Sequence, residues 1–266
     1  MTQHRVTRPR ALWPFIGPAA LLLALLAVPV AGLLWVAVSG DLGAHLADPS
    51  VHAAIRLSLV TTLVSMLAII LTGTPLAYLL ARFRFPGARL AQLLVDLPIV
   101  LPPMVAGIAL LEVFGRNGWL GRPLAVFGIT LPFTTTAVVL SQIFVAGPFF
   151  VRAARVGFAE IAPEVREAAA MDGASELQAC WHIMLPGAQR ALISGLVLAW
   201  ARALGEFGAT IFFAGNREGV TQTMPLAIFI GFESNLGLAI GLSFVLLVTS
   251  VVVLAVLAWT GEQLET

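Results

Sequence analysis

Two oppositely charged residues, Arg202 and Glu206, stand four positions apart within a long apolar segment of the chain. Residues at that spacing lie on one face of an α-helix, where opposite charges can pair. Ionisable groups inside a membrane are costly, and they commonly face the bundle interior or a water-filled path as pairs. The spacing therefore predicts part of a gate or pathway, with a structural ion pair that fixes helix packing as the alternative.

Glycine and proline residues add a second kind of signal. Gly205 and Gly208 are small enough to let a neighbouring helix approach closely. In an earlier apolar segment Pro98, Pro102 and Pro103 interrupt a helix, and the backbone groups that this frees must face protein or water. That segment is a second candidate lining for a pathway, with a simple helix kink as the alternative.

A polar, helix-forming stretch from residue 152 to 190, called the polar loop below, has a different character. Pro163 suits the first position of a helix, and Gly173 ends the alanine-rich run that follows. Ser175 is typical of an N-cap that opens a second helix, which we expect Pro186 to stop. The pattern predicts a helix–turn–helix that is too polar to cross a membrane.

The elements that must position these residues follow from the composition. Of the 266 residues, 59% are apolar and 11% are charged, and the mean hydropathy is +0.96. Soluble domains are about 45–50% apolar and about 25% charged. Because so few polar residues cannot cover a soluble core of this size, the sequence predicts an all-α integral membrane protein.

Six apolar stretches are long enough to cross a bilayer, which takes a helix of about 20 residues. They run over about 13–38, 57–80, 90–114, 133–151, 191–213 and 236–259. With the N-terminus inside, ten Arg residues fall on the cytoplasmic side and four outside, as the positive-inside rule requires. We expect a cytoplasmic leader at 1–12, one transmembrane domain at 13–260 and a cytoplasmic tail at 261–266.

Residue types that the chain lacks exclude several functions. All 15 basic residues are Arg, so there is no P-loop lysine for a nucleotide phosphate and no Schiff-base lysine. The net charge of +1 gives no nucleic-acid signature. The single Cys180 and four scattered His residues have no metal-ligand spacing. We therefore expect no metal, no cofactor bound by this chain and no enzyme activity, and any ATP is used by another subunit.

The polar loop contains a spaced motif. It resembles the EAA signature of the membrane subunits of ATP-binding-cassette (ABC) importers, and its residues are Glu167, Ala168, Ala169, Asp172, Gly173, Ile183, Leu185 and Pro186. In that family the loop forms a coupling helix, which sits in a groove of a separate cytoplasmic ATPase subunit. The resemblance implies that residues 152–190 couple this chain to an ABC ATPase, with Glu167 and Gly173 at the interface.

Two further stretches narrow the resemblance. Residues 201–210 and 221–228 look like the permease subunit of molybdate importers, and residues 97–103 are similar to oxyanion permeases generally. This implies a type I ABC importer permease fold, a homodimer in the cytoplasmic (inner) membrane and an extracytoplasmic molybdate-binding protein. The pathway or gate candidates are Arg202, Gly205, Glu206, Phe207, Gly208, Thr210, Pro102 and Pro103.

The donors available for an anion are few. Tight oxyanion binding needs several converging donors. Within the predicted spans Arg202 offers the fixed positive charge, accompanied by hydroxyl groups such as those of Thr61, Thr62 and Ser65. We therefore expect a weak, alternating path that receives its anion from a binding protein.

Other functions stay open at this stage. A sulfate, thiosulfate or tungstate permease is the alternative within the same class. A secondary anion transporter driven by ion gradients would need no ATPase. An intramembrane enzyme would need two converging carboxylates, and the sequence gives no such spacing for Glu206 or Asp96.

Overall fold

The computed structural model describes residues 13–40 and 42–263, and these form helices joined by short loops. The predicted leader at 1–12 and the last three residues of the predicted tail lie outside this range. In chain order the helices are α1 (Trp13–Ser39), α2 (Leu42–Leu46), α3 (Pro49–Arg82), α4 (Ala88–Val100), α5 (Pro103–Phe114), α6 (Gly121–Val126), α7 (Thr135–Glu160), α8 (Pro163–Met171), α9 (Glu176–Ala179), α10 (Leu185–Gly187), α11 (Gln189–Leu204), α12 (Gly208–Phe213), α13 (Met224–Ser234) and α14 (Leu236–Gln263).

Within residues 13–40 and 42–263, four helices are long and apolar enough to cross a membrane: Pro14–Ser39, Pro49–Arg82, Thr135–Glu160 and Leu236–Ala255. A fifth candidate is a bent pair, Glu176–Gly187 with Gln189–Leu204, whose two parts meet at 71°. The described chain is therefore all-helical with several apolar spans, as the composition predicted.

Two of the six predicted spans are not single helices. The third, 90–114, is divided into α4 and α5, because Leu101 and Pro102 adopt extended backbone angles between them. The fifth, 191–213, is divided into α11 and α12 by a turn at 205–207. The predicted fourth span ended at residue 151, but α7 continues to Glu160, so the polar loop starts later than expected.

The centre of the molecule is a layer of three long helices, in which α7 packs between α3 and α11. A Cβ atom built on Gly73 of α3 would lie 3.0 Å from the Phe150 ring, and one on Gly195 of α11 would lie 2.8 Å from the Cβ atom of Ala153. Phe150 and Phe158 of α7 are buried at this junction. Small residues thus bring the three helices into close contact, as is typical of membrane bundles.

A buried polar network also joins α3 to α7. The hydroxyl of Ser65 donates to Oε1 of Gln142 at 2.8 Å, and Nε2 of Gln142 donates to the hydroxyls of Thr61 at 3.3 Å and Thr62 at 3.4 Å. Polar groups inside an apolar bundle must find such partners, because an unpaired one costs free energy. The network therefore fixes how α3 and α7 pair.

The polar loop begins as predicted and ends differently. Helix α8 is followed by Gly173 at a left-handed φ of 82°, and Ser175 forms a capping box with Gln178. Pro186 does not stop the second helix: α9 runs into a π-helical turn at Cys180–Met184 and then into α10. Pro186 occupies the first turn of α10, where no backbone N–H is required, and the chain bends at Ala188 instead.

Candidate functional site

The break between α11 and α12 is built around one carboxylate. Gly205 ends α11, and Glu206 follows with its backbone N–H donating to the Ala203 carbonyl at 3.1 Å. The Oε1 atom of Glu206 accepts a hydrogen bond from the backbone N–H of Ala209 at 2.7 Å. Glu206 thereby satisfies one of the free donors at the start of α12, which stabilises a helix of only six residues.

The same carboxylate pairs with Arg202, as the spacing predicted. The Nη1 atom of Arg202 lies 2.6 Å from Oε2 of Glu206, a close ion pair without hydrogen-bond geometry. The side chain of Glu206 is 0% exposed, whereas that of Arg202 is 27% exposed. The carboxylate is thus held inside the protein, while its guanidinium partner is partly exposed.

The two helix breaks touch each other. A Cβ atom built on Gly208, at the start of α12, would lie 2.8 Å from Cβ of Pro103 and 3.1 Å from the backbone nitrogen of Met104. One built on Gly107 of α5 would lie 2.6 Å from the backbone oxygen of Ala209. Helices α5 and α12 therefore cross backbone to backbone, and we call this contact the break crossing.

The break crossing brings together some predicted residues and leaves out another. Gly208 and Pro103 are in contact there, so a neighbouring helix does approach closely at Gly208, as its small size predicted. The atom nearest to a Cβ on Gly205 is the carbonyl oxygen of Ala201 in its own helix, at 3.5 Å, so Gly205 serves to end α11. The sequence analysis missed Gly107, which a helix-approach argument could have found beside Ala106.

The remaining gate candidates have separate positions. Phe207 packs on Phe229 of α13 with 5.2 Å between ring centroids. Thr210 is buried in α12, and its hydroxyl has no hydrogen-bond partner among the described residues. Pro102 is exposed in the extended link before α5.

The hydroxyl groups that were expected to accompany Arg202 form hydrogen bonds within the helix bundle instead. Thr61, Thr62 and Ser65 are buried in the network with Gln142, so they hold α3 against α7 and are not exposed to an anion. The sequence did not predict these contacts, because Gln142 lies 77 to 81 positions away from the three hydroxyl residues.

The polar loop presents most of its motif to solvent. Glu167, Ala168, Asp172, Gly173 and Pro186 are exposed, Ile183 and Leu185 are half-buried, and Ala169 is buried. Around a Cβ atom built on Gly173 there is open space, so this glycine is required by its positive φ and not by crowding. Most of the motif thus forms an exposed surface of the loop helices, while Ala169 packs inward.

Charged and aromatic residues that the sequence analysis did not single out anchor this surface. Arg166 of α8 forms an ion pair with Glu176 of α9 at 3.2 Å. The hydroxyl of Tyr78, near the end of α3, donates to the same carboxylate. Arg82 donates from Nη2 to the carbonyl oxygen of Ile161 at 2.7 Å. The loop is therefore tied to the C-terminal end of α3 at two points, Ile161 and Glu176.

The loop leads directly into the helix that carries Arg202. Met184 and Ala188 are buried in the main core, on either side of α10. Ala188 is the residue at which α10 gives way to α11, and α11 then runs without interruption from Gln189 to Leu204. After the bend at Ala188, one uninterrupted helix therefore connects the loop to the turn at 205–207.

The loop that follows α12 is held by hydrogen bonds between side-chain hydroxyls and the backbone. The hydroxyl of Thr221 accepts from the N–H of Arg217 at 2.8 Å, and Thr135 of α7 donates to the carbonyl of Val220 at 2.8 Å. The N–H of Met224 donates to the hydroxyl of Ser58 at 2.7 Å. The stretch 221–228, which the sequence analysis singled out, thus ties α13 to α3 and α7.

The comparison with protein families agrees with this architecture. A family described as "Binding-protein-dependent transport system inner membrane component" matches residues 73–262, which include the break crossing and the polar loop. The chain belongs to this family. It is a multi-pass membrane protein and the permease subunit of an ABC importer.

The relatives that are named for a substrate are molybdenum permeases and sulfate permeases. The chain is 42% identical over 210 residues to the molybdenum transport system permease protein ModB of Mycobacterium tuberculosis, covering 79% of this chain and 80% of ModB. It is 35% identical over 241 residues to the probable transport system permease protein NifC of Clostridium pasteurianum, covering 90% and 84%. It is also 38% identical over 186 residues to the sulfate transport system permease protein CysT of Escherichia coli, covering 70% and 67%.

Solved structures confirm the fold class. A bacterial ABC transporter involved in the import of the acidic polysaccharide alginate matches with a TM-score of 0.74 and 17% identity, covering 96% of this chain and 100% of that one. The MetNI methionine ABC transporter in an inward-facing conformation matches with a TM-score of 0.56 and 18% identity, covering 79% and 92%. The predicted type I ABC importer permease fold is therefore correct.

Proposed function

We propose that this chain is the membrane-spanning subunit of a molybdate importer, which acts as a homodimer in the cytoplasmic membrane. A separate ATPase subunit binds the exposed motif of the polar loop, and an extracytoplasmic binding protein delivers the anion. The observation that carries the proposal is the continuous connection from the exposed loop, through α11, to Arg202 at the break crossing.

The coupling step uses the anchors of the polar loop. Because Glu176 pairs with Arg166 and accepts from Tyr78, the two loop helices and the end of α3 move as one piece. ATP-driven movement of the ATPase then shifts α11 along its length. The short break at 205–207 and the contact of Gly208 with Pro103 take up the change, which exposes the path alternately to each side.

The chemistry at the path is electrostatic. Arg202 supplies a guanidinium with several N–H donors, suited to the oxygens of a tetrahedral dianion. Its counterion Glu206 lies 2.6 Å away and competes with any arriving anion, which keeps binding at this point weak. Weak binding suits a path that must release its cargo, while affinity belongs to the binding protein. The ATPase chemistry lies elsewhere, since this chain contains no lysine.

Molybdate is the proposed substrate because a ModB protein shares the higher identity with this chain, 42% over 210 residues. Sulfate is the second candidate, since CysT shares 38% over 70%. Calorimetry on the cognate binding protein with molybdate, tungstate and sulfate separates them. Micromolar or tighter binding of molybdate with weak sulfate binding supports the proposal, and the reverse order contradicts it.

A charge reversal at Glu167 tests the coupling role of the polar loop. Glu167→Arg places a positive charge on the exposed surface proposed to meet the ATPase, and we expect at least a tenfold loss of ATP-driven uptake, about 1.4 kcal/mol. Glu164→Arg is the matched control, because Glu164 is also an exposed carboxylate of α8 but lies outside the motif. Equal uptake by the two variants would contradict the proposed docking surface.

A further inference from the structure

Besides the pairs of Arg202 with Glu206 and Arg166 with Glu176, a further ion pair joins α4 to α7. The Nε atom of Arg152 lies 3.6 Å from Oδ1 of Asp96, and the two side chains are 58% and 39% exposed. At that distance there is no hydrogen bond, so the attraction between the charges alone holds the pair. It is therefore looser and more accessible than the pair of Arg202 with Glu206.

Both members of this pair lie well inside their helices and not at the helix ends. Because α7 continues to Glu160, Arg152 is eight residues inside the helix end and not in the loop where the sequence placed it. Asp96 is eight residues after the start of α4, which corresponds to about 12 Å. Both side chains are partly exposed, and charged groups on helices of a membrane bundle face water or protein in preference to lipid.

The face of α7 that carries Arg152 leads to the break crossing. Val145 and Arg152 are seven residues apart, so they lie on the same face with about 10 Å between their levels. Val145 packs against Ala106 of α5 and Ala209 of α12, the helices of the crossing. Arg152 therefore lies two turns below the crossing, towards the polar loop.

The packing of α11 on α7 places Arg202 further from the cytoplasm than Arg152. Gly195 of α11 lies beside Ala153, and Gly157 lies beside Ala191, so the two helices run antiparallel. Arg202 is seven residues beyond Gly195 along α11, which corresponds to about 10 Å. The two guanidinium groups are thus about two helical turns apart along the direction of transport.

We propose that Arg152 is a second anion station, which receives the tetrahedral oxyanion after it leaves Arg202, and that Asp96 is the competitor that releases it. This inference rests on the proposed function, because it requires an oxyanion to pass the crossing. The anion displaces the loosely held Asp96 carboxylate from the guanidinium. The carboxylate then returns and drives the anion into the cytoplasm, so that neither station holds the cargo tightly.

The test uses the complete transporter in lipid nanodiscs, with labelled molybdate and labelled sulfate as probes and without the binding protein. Asp96→Asn leaves the Arg152 guanidinium without its competing carboxylate. We expect anion affinity to rise about tenfold, which corresponds to the attraction between two unit charges at this distance when the dielectric constant is between those of water and of a protein interior. Arg152→Gln removes the station, and the added affinity is lost in the double variant. Arg155→Gln, one turn further along α7, is the matched control.

Transport distinguishes a station from a structural pair. Both single variants slow uptake in vesicles if Arg152 is a station, and the double variant stays slow. Singles that are impaired and a double variant that recovers would identify a merely structural pair and overturn the inference. If Arg152→Gln and Arg155→Gln take up oxyanion equally well, the inference about Arg152 is overturned, while the proposed function stands. A wild-type complex that carries no oxyanion overturns the proposed function, and the inference with it.

Discussion

Replacing Gly107 by alanine tests the break crossing directly. The new Cβ atom would lie 2.6 Å from the carbonyl oxygen and 2.8 Å from the Cα atom of Ala209, and 2.9 Å from Cβ of Phe212. Two of these three atoms are backbone, so no side-chain rotation relieves the clash. Helix α12 must move away by about 1 Å to restore ordinary contact.

The expected cost is that of overpacking a tightly packed site. Forcing one extra methyl group into such a core lowers the free energy of unfolding by about 1–3 kcal/mol. The shift also moves the N–H of Ala209 away from the Glu206 carboxylate, which now lies 2.7 Å from it. Loss of this capping hydrogen bond costs about 1 kcal/mol, which is included in the total range given above.

Gly147→Ala is the matched control for Gly107→Ala. Gly147 is also a glycine inside an apolar helix, but the nearest atom to its Cβ would be Cγ1 of Ile69 at 3.8 Å, an ordinary contact. Alanine there gains up to about 1 kcal/mol of helix propensity. Stability is measured by titrating the purified protein in mixed detergent micelles with dodecyl sulfate, and transport by ATP-driven uptake in vesicles. Equal stability and uptake for the two variants would refute the backbone contact.

Two further substitutions probe the anchors of the site. Glu206→Ala leaves the Arg202 guanidinium without its counterion and should lower the free energy of unfolding by about 3 kcal/mol. The double variant with Arg202→Ala should lose less stability than the two single variants together. Additive losses in the same micelle titration would show that the pair is not coupled. Tyr78→Phe removes the hydrogen bond to Glu176 but keeps the packing on Phe158. We therefore expect amide hydrogen exchange in the polar loop to become about fivefold faster, which corresponds to about 1 kcal/mol. Unchanged exchange would show that this hydrogen bond does not anchor the loop.

Local spacing explains what the sequence could predict. The pair of Arg202 with Glu206, the N-cap at Ser175 and the interruption at Pro102 depend on residues within four positions of each other, where backbone geometry decides the outcome. The helical class follows from composition, because a membrane leaves few other options for the backbone.

Contacts between distant segments of the chain could not be predicted from the sequence. Tyr78 and Glu176 are 98 positions apart, and nothing in either local pattern indicates the other. Asp96 and Arg152 likewise belong to different helices, and the expected end of the fourth span placed Arg152 in a loop. The break at 205–207 was missed because its apolar and glycine residues resemble a continuous membrane helix, which tolerates glycine.

The central claim is that a separate ATPase drives an oxyanion through this chain by way of the polar loop and α11. The most direct measurement is uptake of labelled molybdate by vesicles that contain this chain, its ATPase and its binding protein, with ATP supplied or withheld and with excess sulfate as competitor. The account predicts uptake that requires ATP and that a tenfold excess of sulfate leaves largely unchanged. Uptake that proceeds equally without ATP or without the ATPase subunit would contradict it.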